Sequence, residues 1–360
     1  MMKYIITIIV ACVGIIACGC NKEDFNTTTG KNENKRNLAK YEPRNGECFI
    51  FAGQDLGAVG GMEEYNEGYC DYFKTPAGVT AYIGFMGAGG IYGMFGISNW
   101  GSGDCSLNKY TTVSRFDNCM FAIGLPITSK ETDIVKGTYD KAIKALAKWL
   151  KEVSPRPVFL RIGYEFDGYD WNHYKPATYV PAYRYIKDML DSEGVENVAY
   201  VWQSKGYGCS LAKMEEFYPG DEYVDWCGYS YFDQSDTLML DFARLKKKPV
   251  FIAESTPTTQ DGNWKYDNCY LTDEDDARRL HDEWFEVLLD LIEENEDVIK
   301  AWHYINVDWY AQELWKTNIT FQKVDSRIHV SELISGWWTD NVINNDRFIQ
   351  SEDLDWTKLP

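Results

Sequence analysis

Eight short apolar runs recur along the chain, and each has the length of a β-strand. The runs are nearly continuous rather than alternating, which is typical of parallel strands that are covered on both faces. They are CFIFAGQ (48–54), VTAYIGF (79–85), CMFAIGL (119–125), PVFLRIG (157–163), VAYVWQS (198–204), DWCGYSY (225–231), PVFIAES (249–255) and IKAWHYI (299–305).

Several intervals between these runs carry a helical pattern. TYDKAIKALAKWLKEV ends before Pro155, ATYVPAYRYIKDMLDSEG ends on Gly194, and DEDDARRLHDEWFEVLLDLIEENED opens with acidic residues. The interval 86–118 reads mostly as loop. Strands alternating with helices predict an α/β fold, and eight of them favour a (β/α)8 TIM barrel. A doubly wound sheet is the alternative, but no GxGxxG follows the first strand. Residues 46–360 show no internal repeat and no linker, so we expect one domain there.

The N-terminal segment indicates export. Residues 1–20 combine a lysine, a short apolar run and small residues, as a secretory signal peptide does. Ile15-Ile16-Ala17-Cys18 resembles a bacterial lipobox, which makes Cys18 the expected site of acylation and Cys20 a second candidate. An ordinary signal peptide is the alternative. Residues 21–45 are polar and read as a flexible tether. We therefore expect a lipoprotein that is anchored to a membrane, the outer membrane, and faces the periplasm or the cell surface.

Composition narrows the class of ligand. The chain has 13 Trp and 25 Tyr among its 360 residues, and rings of this kind stack well on sugars or bases. The net charge of -19 would repel a phosphate backbone, which excludes nucleic acid and leaves a neutral glycan. No CxxC, HxH, HExxH or GxSxG spacing occurs, so we expect no metal, no cofactor and no serine nucleophile.

Two of the eight runs have a glutamate at or just after their C-terminal end. Glu165 follows the fourth run and Glu254 lies in the seventh. By strict alternation Arg161 points with Glu165, and Ile252 points with Glu254. Chemistry in a (β/α)8 barrel lies at the C-terminal ends of the strands, so we expect both carboxyl groups to face the barrel mouth.

Such a pair suits the cleavage of a glycosidic bond. One carboxyl group protonates the leaving oxygen, while the other attacks the anomeric carbon or activates water. Burial can keep one of them protonated, and a neighbouring cation, for which Arg161 is the candidate, can keep the other ionised. The alternative is a buried Arg–Glu pair with a purely structural role.

The sequence around these residues resembles glycoside hydrolase family 26, within the clan of retaining (β/α)8 glycosidases. The likeness lies in RIGYEFDGYDWN, YPGDEYVDWCGYSYF, KKPVFIAES and the GQD after the first strand. The resemblance implies that Glu165 is the acid/base and Glu254 the nucleophile, with Tyr231 near the nucleophile. Mannanases of the family usually have His immediately before the acid/base Glu, whereas this chain has Tyr164. The Trp that follows the acid/base Glu also lies one position later in this chain than in the family pattern. The substrate therefore stays open between β-mannan, β-1,3-xylan and β-glucan.

Further candidates for sugar contacts lie at or after the strand ends. Because aromatic residues recur at several strand ends, we expect an endo-acting enzyme on a neutral polysaccharide, and the family resemblance implies that it is retaining. A non-catalytic glycan-binding lipoprotein on the same barrel is the alternative. The candidates for substrate binding are Asp55, Arg161, Trp171, Asn172, Trp202, Gln203, Tyr231, Asn306 and Trp309.

Overall fold

The eight predicted strands pair in parallel and close into a barrel. A computed structural model describes residues 37–87, 90–232, 237–259 and 266–360. Each strand pairs with its neighbours in chain order, and the eighth closes the ring on the first, with Phe49 opposite Ala301 and Gly53 opposite Ile305. The predicted (β/α)8 barrel is confirmed. The strands are Cys48–Gly53, Gly78–Tyr82, Met120–Leu125, Val158–Ile162, Val198–Ser204, Trp226–Tyr231, Val250–Ser255 and Ile299–Ile305.

Helices cover the outside of the barrel. Asp140–Glu152 buries one apolar stripe, as its sequence predicts, and the next long helix has Pro176 in its first turn, where a missing N–H costs nothing. Asp273 accepts hydrogen bonds from two backbone N–H groups of the helix that it precedes. The helices of seven or more residues are Asp140–Glu152, Pro176–Ser192, Leu211–Phe217, Leu238–Lys246, Glu274–Leu280, Glu286–Glu294 and Glu332–Trp338, and a π-helical turn, His281–Phe285, joins two of them. Shorter helices are Leu56–Val59, Tyr69–Tyr72, Leu107–Tyr110, Glu131–Val135 and Tyr169–Asn172.

The floor of the barrel is filled by aromatic rings. The Phe159 ring lies 5.6 Å from that of Phe51, 5.8 Å from that of Phe251 and 5.1 Å from that of Trp226, each in an edge-to-face arrangement. All four side chains are buried. In the part of the chain that the structure describes, these rings fill the N-terminal end of the barrel, so chemistry is expected at the C-terminal ends of the strands.

The second apolar run divides into two strands. Its first part is the barrel strand Gly78–Tyr82, while Gly84–Met86 leaves the barrel and pairs antiparallel with Gly90–Tyr92. A second small hairpin pairs Ser98–Asn99 with Asp104–Cys105. The segment predicted as loop thus carries two hairpins beside the barrel mouth.

The folded unit begins before the predicted boundary at residue 46. It starts at Leu38, and residues 38–45 lie against the barrel floor. The Tyr41 ring is 6.3 Å from that of Phe159, and Trp226 Nε1 donates to the Lys40 carbonyl at 2.8 Å. The end of the predicted tether therefore belongs to the barrel unit. The predicted signal peptide, Cys18 and residues 21–36 lie outside the described residues.

Three smaller findings concern membranes, thiols and metals. None of the described helices has the length and apolar character needed to span a bilayer. Within the described residues, no cluster of three or more His, Cys, Asp or Glu side chains is arranged to hold a metal ion. Five of the described cysteines, Cys48, Cys70, Cys105, Cys119 and Cys227, are free thiols.

Candidate active site

Glu165 is held at the mouth by an unusual stretch of backbone. Gly163 and Glu165 have φ angles of 56° and 53°, in the left-handed region. A Cβ on Gly163 would lie 2.7 Å from the Tyr179 ring, so only glycine fits there. Asn172 Nδ2 donates to the carbonyls of Tyr164 and Glu165 at 3.1 and 2.9 Å. Asn172, predicted to contact sugar, therefore fixes the loop that aims Glu165.

Glu165 is only 8% exposed, and its carboxyl group accepts two hydrogen bonds. Ser230 Oγ donates to Oε1 at 2.7 Å, and Trp171 Nε1 donates to Oε2 at 2.8 Å. Burial, together with the charge of Glu254, raises the pKa of Glu165 to about 8, although both hydrogen bonds act in the opposite direction. Glu165 is therefore protonated at neutral pH, as a proton donor must be.

Glu254 reaches the barrel interior because the seventh strand contains a bulge. Ile252 lies opposite Tyr229, whereas Glu254 lies opposite Ser230, so Ala253 is an extra residue. The prediction that Ile252 points with Glu254 is wrong: Ile252 packs outward, among the residues under the helices. The bulge changes the alternation, so Glu254 can face inward.

Arg161 supplies the positive charge beside Glu254. It is fully buried, and its Nη1 donates to Glu254 Oε1 at 2.6 Å and to Gln203 Oε1 at 3.0 Å. The guanidinium carbon lies 5.1 and 5.4 Å from the ring centroids of Tyr82 and Tyr164, within range of a cation–π contact. Arg161 and Gln203, predicted to bind substrate, contact the candidate nucleophile instead and position it.

A chain of hydrogen bonds joins the two carboxyl groups. Gln203 Nε2 donates to Glu254 Oε1 at 3.3 Å and to Ser230 Oγ at 3.1 Å, and Ser230 in turn donates to Glu165. The structure thus brings the two glutamates predicted from the sequence into one site. Ser230 was not among the residues predicted from the sequence, although its inward position in the sixth strand, next to Tyr231, was a usable signal.

His303 of the eighth strand lies in the same polar layer. It is fully buried, and its Nδ1 lies 2.7 Å from the Ala253 carbonyl oxygen, to which it donates. Burial and the nearby charge of Arg161 lower the pKa of His303 to about 3. The imidazole is therefore neutral, and the positive charge in this layer belongs to Arg161.

Trp171 and Tyr231 differ in their access to a ligand. Trp171 is 44% exposed while its indole N–H contacts Glu165, so its ring is free to meet a sugar at the mouth. Tyr231 is buried, with its ring 5.8 Å from that of Trp284. The ring of Tyr231 thus packs in the core beneath the helices.

Asp55 has a different role from the predicted sugar contact. It is 4% exposed, and its Oδ1 accepts from the backbone N–H groups of Gly57 and Ala58 at 2.8 and 3.1 Å. Its Oδ2 accepts from Gln312 Nε2 at 3.0 Å. Asp55 caps a short helix and ties the loop after the eighth strand to the first strand, so both of its oxygens are already engaged.

Three further candidates are structural as well. Trp202 stacks on Phe166 with the ring centroids 4.1 Å apart, because it takes the outward position beside the inward Gln203. Trp309 stacks on Phe321, also at 4.1 Å, and Asn306 Oδ1 accepts from the backbone N–H of Ile328 at 2.8 Å. All three are buried, so their predicted sugar contacts are corrected to packing and loop-fixing roles.

The fold and the site together define a class of protein. A closed parallel barrel carries one protonated carboxyl group and one cation-paired carboxyl group at a single mouth, an arrangement suited to glycosidic bond cleavage. Residues 109–311 match the family model described as Glycosyl hydrolase family 26. The chain belongs to glycosyl hydrolase family 26 and is a glycoside hydrolase, which confirms the family resemblance.

Individual relatives agree with this assignment. A β-1,3-xylanase of Alcaligenes sp is 29% identical over 333 residues, covering 88% of this chain and 67% of that protein. The β-1,3-xylanase TXYA of Vibrio sp is 28% identical over 324 residues, covering 84% and 66%. The chain thus spans about two thirds of the length of these relatives. The structure of a GH26 β-mannanase from Bacteroides ovatus, at 14% identity, aligns with a TM-score of 0.57 over 87% of this chain and 93% of that one, which shows the shared fold.

Proposed function

We propose that this chain is a retaining endo-β-glycoside hydrolase that cleaves a neutral polysaccharide by double displacement. Glu254 is the nucleophile and Glu165 the acid/base. One observation carries the proposal: Glu165, with a pKa raised to about 8, is joined through Ser230 and Gln203 to Glu254, which is paired with Arg161.

In the first step, Glu254 attacks the anomeric carbon while Glu165 protonates the departing glycosidic oxygen. This forms a glycosyl ester on Glu254 and releases the leaving-group sugar. Esterification removes the charge of Glu254, which is one cause of the raised pKa of Glu165. The pKa of Glu165 therefore falls as the ester forms, so that Glu165 can deprotonate the water that attacks the ester in the second step.

β-1,3-Xylan is the first substrate to test, since β-1,3-xylanase is the name of both curated relatives. β-Mannan and β-glucan are the other candidates. The net charge of -19 disfavours anionic polysaccharides such as pectin or alginate.

The experiment is incubation with β-1,3-xylan, β-mannan and mixed-linkage β-glucan, followed by reducing-sugar analysis and viscometry. The Glu254→Ala variant is the matched control. Internal cleavage lowers viscosity early in the reaction, and ¹H NMR should show the β anomer as the first product. An initial α anomer would mean inversion, and binding without release on every polymer would favour the glycan-binding alternative.

We further propose that the protein is a lipoprotein whose anchor is attached to Cys18 and holds it at a membrane facing the periplasm or the cell surface. The support is the apolar run and the Ile-Ile-Ala-Cys sequence of residues 15–18. Metabolic labelling with a fatty acid tests this proposal: Cys18→Ala should abolish labelling. Labelling that persists in Cys18→Ala but is lost in Cys20→Ala would move the anchor to Cys20.

A further inference from the structure

An exposed aromatic pair lies on the insertion that follows the second barrel strand. Tyr92 and Trp100 are 36% and 39% exposed, and their ring centroids are 5.6 Å apart at an angle of 50°. Tyr92 ends the strand Gly90–Tyr92, and Trp100 directly follows Ser98–Asn99. Neither residue belongs to the hydrogen-bonded network around the two glutamates.

The turn that carries Trp100 is fixed before any ligand arrives. Asn99 Nδ2 donates to Asp104 Oδ1 at 2.8 Å, and Asn99 Oδ1 accepts from the Gly101 backbone N–H at 2.7 Å. Tyr65 donates its hydroxyl to Asp104 Oδ2 at 2.7 Å. A ring presented by a pre-ordered turn loses little conformational entropy on binding.

Three contacts place this pair at one side of the barrel mouth. The Leu314 backbone N–H, in the loop after the eighth strand, donates to the Gly101 carbonyl at 2.8 Å. Gly103 lies against Asp55, at the end of the first strand. Tyr92 pairs with Gly84, which lies two residues after Tyr82, the last residue of the second barrel strand. The Tyr82 ring contacts the Arg161 guanidinium. The pair therefore lies over the ends of the eighth, first and second strands.

A second aromatic group lies nearly opposite, over the fourth and fifth strands. Trp171 donates to Glu165, and Lys205 Nζ lies 5.6 Å from the Trp171 ring and 4.3 Å from that of Tyr207. Because Trp171 contacts the proton donor, its side of the mouth should hold the leaving-group sugars. The side that carries Tyr92 and Trp100 should then hold the glycone, the part of the chain that becomes bonded to Glu254.

We propose that Tyr92 and Trp100 form a distal binding site for the glycone of the polysaccharide, an inference that rests on the proposed function. The apolar face of a pyranose can stack on such half-exposed rings, while the Tyr hydroxyl and the indole N–H can bind its hydroxyl groups. A polysaccharide that runs from Trp171 to Trp100 crosses both glutamates. A mouth that binds sugars on both sides favours cleavage within a chain.

The test compares Trp100→Ala with the parent enzyme on oligosaccharides of increasing length, prepared from whichever of β-1,3-xylan, β-mannan and β-glucan the parent enzyme cleaves. The ratio of kcat/KM for long chains to kcat/KM for short chains should fall by about three- to tenfold, the size expected for one lost stacking contact. Most of the loss should appear as a higher KM, because the ring binds ground state and transition state alike. Trp100→Phe should restore most of the ratio. Leu245→Ala, at an exposed side chain of the helix Leu238–Lys246 outside the barrel, is the control.

Polysaccharide binding in the Glu254→Ala background gives a readout that is independent of turnover. Trp100→Ala should weaken it by a similar factor. An unchanged length ratio in an active enzyme would overturn the aromatic site and leave the proposed hydrolysis intact. Polysaccharide binding that depends on Trp100, without cleavage of any polymer, would support the aromatic site and contradict the proposed hydrolysis. A parent protein that self-associates, and becomes monomeric in Trp100→Ala by size-exclusion chromatography, would make this patch a protein interface and overturn the sugar site.

Discussion

Arg161 Nη1 donates to Glu254 Oε1 over 2.6 Å, and this ion pair lies almost wholly out of solvent inside the barrel. Neither group could be left alone there, since an unpaired buried charge is costly. The relationship places a permanent cation against the proposed nucleophile, while Glu165, which has no such partner among its described contacts, keeps its proton. Two carboxyl groups of the same type thus receive different roles from their surroundings.

Arg161→Met should destabilise the fold by about 3–5 kcal/mol and abolish turnover, because it leaves Glu254 buried without its cation. Urea unfolding monitored by tryptophan fluorescence measures the free energy of unfolding. The double variant Arg161→Met, Glu254→Gln should recover much of this loss, since its buried amide carries no charge. If the two single losses simply add in the double variant, the pair does not act as described.

The raised pKa of Glu165 predicts the alkaline side of the pH profile. Glu165 must be protonated to act as an acid, so kcat/KM should fall as the pH rises through about 8. Glu165→Gln should lower kcat on polysaccharide by about 10²–10⁴-fold and remove this alkaline limb. Formation of the glycosyl ester from an aryl glycoside with a good leaving group should be affected far less, because that step needs no acid. An alkaline limb that survives in Glu165→Gln would assign the titration to another group.

Ser230→Ala tests the link between the two carboxyl groups. The hydrogen bond from Ser230 lowers the pKa of Glu165, so its removal should move the alkaline limb of kcat/KM to higher pH. Gln203 Nε2 would also lose one of its two acceptors, which loosens the position of Glu254. Ser192→Ala, at an exposed helix end, is the control and should leave the profile in place. An alkaline limb of kcat/KM that is unchanged or moves to lower pH would contradict the hydrogen bond from Ser230 to Glu165.

The raised pKa of Glu165 also makes the stability of the folded chain depend on pH. The pKa of Glu165 is raised from 4.5 to about 8 in the folded chain, so its contribution is complete below the lower value and is lost as the pH rises through the upper one. Glu165→Gln does not titrate. The Tm of this variant minus the parental Tm should therefore increase between pH 4.5 and about 8 and level off above. Differential scanning calorimetry measures both Tm values, and a flat difference for Glu165→Gln would contradict the raised pKa.

Much of the fold follows from the sequence because buried parallel strands leave continuous apolar runs that need no knowledge of distant contacts. The pair Glu165 and Glu254 also follows, since strand ends meet at one mouth. Strict alternation of side chains predicted the wrong orientation of Ile252 relative to Glu254. The bulge at Ala253 depends on pairing with the sixth strand, which the sequence of the seventh strand does not show. The sugar contacts predicted for Trp202 and Trp309 were wrong because the sequence does not distinguish a buried tryptophan from one that binds sugar. Their stacking on Phe166 and Phe321 in the structure shows that both are buried packing residues. Ser230 was missed because its importance comes from two partners distant in sequence.

Glu254→Ala should reduce turnover by several orders of magnitude while polysaccharide binding persists, because the nucleophile is gone and the outer sugar contacts remain. Azide can enter the space left by the carboxylate, next to the unpaired Arg161 guanidinium, and attack the anomeric carbon from the face that Glu254 uses. The product expected from an aryl β-glycoside is then the α-glycosyl azide, identified by ¹H NMR. Glu165→Ala provides the matched control: its ester on Glu254 still forms from this substrate, and azide intercepts it from the opposite face to give the β-glycosyl azide. Because the two variants must yield opposite anomers, a β product from Glu254→Ala would exchange the roles assigned to the two glutamates or remove Glu254 from the reaction.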